Sequence, residues 1–77
     1  MKKIRLIWDF RGPDSEGTAT HHQIHLNEYA INQKLKHKDT GVEEKNSSHF
    51  TAFIVVEEDE LPQVRDALRP HRGELVE

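Results

Sequence analysis

Six of the 77 residues are histidine, and their spacing is the first feature of the chain with chemical content. His21 and His25 stand four apart in a polar stretch, and Glu28 follows three later. In a helix those separations place all three side chains on one face, with Asn32 beside them. Imidazoles at i and i+4 can chelate zinc, copper or nickel, and a carboxylate can complete part of the shell. His21, His25 and Glu28 are therefore the candidate metal ligands, and a divalent metal such as zinc is the candidate cofactor. The metalloprotease pattern His-Glu-x-x-His is absent, and histidines on a polar helix face are commonly just solvated.

His22 falls on a different helical face, with Leu26, Tyr29 and Gln33. Pointed at Asp9, it would form a pair in which the carboxylate orients one imidazole tautomer and favours its charged form. Such a pair serves general acid–base chemistry, so Asp9, His22 and His49 are the catalytic candidates. The competing reading is a structural hydrogen bond between a helix start and a strand end. No nucleophile stands out. Ser15, in Pro-Asp-Ser-Glu-Gly, lacks the Gly-x-Ser-x-Gly context of a nucleophile elbow. Gly12 and Gly17 lack the Gly-Lys-Ser/Thr element of a phosphate loop. Arg11, Arg69 and Arg72 could still bind an anion through their guanidinium forks.

These side chains must be placed by a small set of elements. Ile4, Leu6, Trp8 and Phe10 alternate with Lys3, Arg5, Ile7 and Asp9, which is the period of a strand. Residues 11–17 read as a loop, and Thr18 or Thr20 can cap a helix running to about His37. That helix carries two apolar stripes. Ile24, Ile31 and Leu35 form one, and Ala19, Leu26, Tyr29 and Ala30 the other. A surface helix needs only one, so a second suggests burial against another subunit. A short polar strand at about Val42 to Lys45 precedes an Asn46-Ser47-Ser48 turn. His49 to Glu57 is apolar on both faces and should be a central strand. Asp59 can cap a second helix with Leu61, Val64 and Leu68 on its buried side and Pro70 as its stop. Residues 73–77 leave room for a short last strand.

This order gives one α+β domain over residues 1–77, of the ferredoxin-like split βαβ type (βαββαβ). It implies a four-stranded antiparallel sheet of order 4-1-3-2, with two helices on one face. The two strands that this order makes central are also the two most apolar, which supports the assignment independently. The topology then predicts a meeting place. The end of the first strand, the start of the third and the start of the first helix share one rim with the residues after the second helix. Asp9, Arg11, His22, His49, His71 and Arg72 form the expected ligand-binding set there, for a small anionic ligand. Only His37 should lie at the far end.

The opposite sheet face would carry Ile7, Phe53 and Val55, an apolar patch that a homodimer could cover. Composition excludes several classes. No cysteine means no disulfide and no thiolate metal site, which fits a reducing, cytoplasmic location. No apolar run reaches the length of a membrane span, so no membrane partner is expected. The net charge of −3 gives no reason to expect nucleic acid. Ala52-Phe53-Ile54 matches part of the third-strand motif of RNA-recognition modules, but that motif's basic residue, its glycine and two aromatics are missing. Three functions stay open: a homodimeric domain binding a small anion or metal at a histidine-rich rim, a small dimeric α+β barrel enzyme using a His/Asp pair, and a protein-interaction module with no small ligand. Sedimentation velocity separates them in part, because a strictly monomeric chain removes the barrel.

Overall fold

The alternation along the first strand sets the plan of the molecule. The structure, a computed structural model, describes residues 2–76. In chain order it contains β1 (Lys3–Arg11), α1 (Ser15–Asn32), β2 (Thr40–Asn46), β3 (His49–Glu57), a 3-10 turn (Glu58–Glu60), α2 (Leu61–Leu68) and β4 (Arg72–Val76). The sheet order is β2-β3-β1-β4, and every neighbouring pair is antiparallel. This is the expected α+β class and strand order. The fourth strand pairs with β1 from Lys3↔Val76 to Ile7↔Arg72. Glu77, the end of the expected 73–77 segment, lies outside the described residues.

Even-numbered residues of β1 and β3 build the core. Leu6, Trp8, Phe50, Ala52, Ile54 and Val56 are buried against Ala19, Leu26 and Ala30 of α1 and Val64 of α2. Both helices therefore cover the same sheet face. Each large apolar side chain buried this way contributes about 1.5–3 kcal/mol. The Trp8 indole N–H donates to the carbonyl of Leu68 at 3.1 Å, which satisfies its one polar atom and ties the end of α2 to β1.

Helix α1 begins and ends earlier than its periodicity suggests. It starts at Ser15, which is itself buried, rather than at Thr18. It stops at Asn32 because Lys34 adopts a left-handed conformation, with φ of 54°. The Leu35 amide then donates to the Ala30 carbonyl and the Lys34 amide to that of Ile31, a Schellman cap. The turn carries Leu35 into the core, while Ile24 and Ile31 stay 49% and 51% exposed. The second apolar stripe is thus not a continuous face: one of its three members leaves the helix.

After this cap, the connection to β2 is pinned to the start of the second helix. The Lys36 amide donates to the Glu60 carboxylate, and its ammonium pairs with Asp59 at 2.7 Å. His37 hydrogen-bonds Glu57, whose carboxyl is held below its usual range by that imidazole, against the opposing effect of burial. Glu57 and Glu60 form a reciprocal capping box at the 3-10 turn, in place of the expected Asp59 cap.

The sheet face away from the helices differs from expectation. Ile7, Phe53 and Val55 were expected to form an exposed patch, but Ile7 and Val55 are only 3% and 6% exposed within the single chain, and Phe53 is half-buried. Long side chains also cross between strands on this face. Phe53 lies across Gly41 of β2, so close that a Cβ there would sit 2.7 Å from the ring. The Arg5 guanidinium stands 4.9 Å from the same ring and pairs with Glu74. Arginine stems cover apolar surface while their heads stay hydrated. The patch needs no second copy to bury it.

Lys34 offers a direct test of the early helix stop. A non-glycine residue in the left-handed region costs about 1–2 kcal/mol, which glycine avoids. Lys34→Gly is therefore expected to raise stability by about 1 kcal/mol in chemical denaturation. A loss of stability would mean that the cap is not formed in solution.

Candidate functional site

Strand parity divides the rim into two sites. Asp9 is odd-numbered and lies on the open face of the sheet, with Thr51 opposite it on β3. His49 is opposite Arg11 and Arg72 is opposite Ile7, so both are diagonal neighbours of Asp9, one on each side. The contacts follow from this placement. His49 Nε2 donates to Asp9 Oδ1 at 2.9 Å, while Arg72 donates from Nε to Oδ2 at 3.0 Å and from its terminal nitrogen to Oδ1 at 3.2 Å. The Asp9 carboxyl is held down at about 2, chiefly by the Arg72 hydrogen bonds, which outweigh the upward effect of burial, with a lesser downward contribution from His49. Arg72 is correspondingly pushed up by the carboxylate.

The Asp9 backbone joins the same cluster. The last ladder pair between β1 and β4 is Ile7↔Arg72, beyond which the Asp9 amide has no strand to meet. The His71 ring takes that role: Asp9 N–H donates to His71 Nδ1 at 2.9 Å. An Nδ1 that accepts carries no proton, so this bond selects the tautomer of neutral His71 with hydrogen on Nε2. Three strand ends are thereby fastened to one residue. Arg11, which ends β1, is exposed and makes no ion pair with a described residue.

The other part of the rim lies on the helix side. His22 packs against Trp8, with ring centroids 4.8 Å apart, and against the edge of Phe10 at 5.5 Å. Its pKa is lowered first by burial and then by the proximity of His25, His71 and His21. Its Nε2 is buried without a hydrogen-bond partner. The expected pairing of His22 with Asp9 does not occur. The helix packs on the even-numbered face of β1, whereas the Asp9 carboxylate projects from the odd-numbered one, and His49 is its imidazole partner instead.

A pocket of about 450 Å³ opens in front of His22, lined by Phe10, Gly17, Thr18, His21 and His25. At its edge His21 Nε2 and His25 Nε2 are 3.0 Å apart. Glu28 does not converge with them. Its carboxylate lies 3.6 Å from Nδ1 of His25, the far side of that ring from His21. Among the described residues no group of three or more His, Cys, Asp or Glu side chains is placed to hold a metal ion. The expected triad of ligands is thus a pair of imidazoles with a carboxylate behind one of them.

Two features were not foreseen. The use of the His71 ring as a substitute strand partner could have been found by counting ladder positions, since β4 is too short to reach Asp9. A groove of about 350 Å³ between α2 and β4, with Ile4, Leu6, Leu61 and Leu75 in its walls, carried no sequence signal. His37 lies far from the rim, as its position along the chain implies. Among the described residues no helix is long and apolar enough to cross a membrane. No family model, curated protein or solved structure matches the chain.

The Asp9 cluster has a definite acid response. A carboxyl that titrates near 3.8 when unfolded and about 2 when folded adds stability above about pH 4, and that contribution is lost as the pH falls towards 2. Asp9→Asn should cost about 1–2 kcal/mol at pH 6, allowing for partial solvent screening. It should also flatten the stability profile between pH 4 and 2. Denaturant titrations across that range check both, and an unchanged acid limb would show that the cluster contributes nothing in solution.

Proposed function

We propose that this chain is a small binding domain of the ferredoxin-like βαββαβ class, which takes a divalent metal ion, alone or carrying a small ligand, at its histidine pocket. The observation that carries this reading is the placement of His21, His22 and His25 around one open pocket with Phe10 as its aromatic wall. Imidazole is the side chain best suited to a borderline metal near neutral pH, since it offers a lone pair without carrying a charge. The pocket has no cationic side chain in its lining, which favours a metal over a free anion. On the other face Arg72 is engaged by the Asp9 carboxylate. Of the three arginines expected to bind an anion, Arg11 and Arg69 make no ion pair among the described residues, but neither lines the histidine pocket.

A second reading rests on a separate observation, the hydrogen bond between His49 and Asp9. A carboxylate ionised down to about pH 2 holds one imidazole nitrogen and leaves Nδ1 as a potential base. This gives the open face the parts of an acid–base pair, with Asp9 as the orienting group. No hydroxyl among the described residues is hydrogen-bonded to either member of this pair, which makes it the weaker of the two.

Titration of ¹⁵N-labelled chain with zinc, nickel and phosphate separates the readings. Saturable shifts at micromolar metal, confined to the pocket residues between 10 and 25, are expected. Phosphate shifts centred on residues 9, 11, 49 and 72 would favour the open face instead. Shifts of equal size at His37 and at the pocket would reduce metal binding to adventitious contact and overturn the proposal.

A further inference from the structure

The separation of the two imidazole nitrogens carries information about which metal geometry they can serve. Metal–nitrogen bonds of about 2.0–2.1 Å, spanning the 3.0 Å between His21 Nε2 and His25 Nε2, enclose an angle of about 91–97° at the metal. A tetrahedral ion would need these nitrogens about 3.3 Å apart. Right-angled bonds belong to tetragonal or octahedral ions, of which copper(II) and nickel(II) accept imidazole readily.

The surroundings agree with that assignment in two respects. Glu28 lies behind His25, on its Nδ1 side, at 3.6 Å. A carboxylate on that side favours hydrogen on Nδ1 and so leaves the lone pair on Nε2, by ionic contact at this distance rather than by a hydrogen bond. The pair also stands at an open pocket rather than in a closed cage, so the remaining positions around the ion are free for water or an incoming ligand. Closed four-ligand sites are the mark of structural zinc, and nothing of that kind is present among the described residues.

We propose that His21 and His25 form a two-imidazole chelate for copper(II) or nickel(II) with right-angled geometry, and that Glu28 is a positioning residue behind His25 rather than a ligand. This rests on the pocket reading above and specifies its occupant. The competing state is the metal-free one, in which one Nε2 donates a hydrogen bond to the other across the same distance.

The test uses the full chain and its His21→Ala, His25→Ala and Glu28→Gln variants; both histidines are exposed, so their loss should leave the fold intact. Copper(II) is followed by electron paramagnetic resonance and cobalt(II) by visible absorption, with ¹H–¹⁵N spectra in parallel. The expected result is nitrogen hyperfine structure from two imidazoles and the weak absorption of six-coordinate cobalt. Affinity should fall at least a hundredfold in either histidine variant and about tenfold in Glu28→Gln. An intense tetrahedral cobalt spectrum, with Glu28→Gln as damaging as the histidine variants, would overturn the right-angled chelate and make Glu28 a ligand, while keeping the pocket as the binding site. No saturable change with copper, nickel, cobalt or zinc would overturn the pocket reading itself. Equal copper affinity in the parent and His21→Ala chains would show adventitious binding.

Discussion

The carboxylate of Asp9 is the point on which one end of the sheet depends. It accepts from an imidazole on one neighbouring strand and from a guanidinium on the other, while its own amide is satisfied by a third side chain, His71. β1 is central, so a failure at Asp9 would loosen β3 and β4 together. A charge-assisted network in a half-buried position contributes more than an exposed ion pair, because its members lose little freedom and are partly shielded from water. It also explains why a five-residue final strand is sufficient. The strand ends where its side chains take over from its backbone.

This arrangement divides the chemistry of the rim. The open face holds a charged cluster whose members largely satisfy one another, with Arg72 neutralised by Asp9. The helix side holds imidazoles and aromatic rings, with no lysine or arginine in the pocket lining. His22 is central to that second region, because burial against Trp8 and Phe10 disfavours its charged form and leaves one of its nitrogens without a partner. A domain of this size cannot keep two large polar sites apart by distance. Here a single layer of backbone separates them, since adjacent residues of a strand point to opposite faces.

That same alternation accounts for what was legible in the sequence. Both central strands could be read directly, because Ile4, Leu6, Trp8 and Phe10, and Phe50, Ala52, Ile54 and Val56, follow the two-residue period of a buried sheet face. The topology brought His49, His71 and Arg72 to Asp9 correctly. The pairing of His22 with Asp9 failed on parity: residue 9 is out of phase with the apolar residues that define the helix-covered face. The end of α1 was hidden for a different reason. Its left-handed cap is a lysine where glycine would have signalled the stop, and tertiary burial of Leu35 outweighs the local strain. The covered state of Ile7 and Val55 was beyond pattern reading altogether. It depends on how side chains of neighbouring strands pack over that face, which no period in the sequence encodes.

The pairing of Lys3 with Val76 has a mechanical consequence. These residues face each other at the open end of an antiparallel pair, so tension between them acts across the strands rather than along them. Such a load peels β4 from β1 one rung at a time, meeting each hydrogen bond singly, until it reaches the Asp9 clasp at the other end. Shear along the sheet would have to break all the rungs at once. The domain should therefore resist force very unequally in different directions, opening like a zip under one pull and holding like a rivet against another.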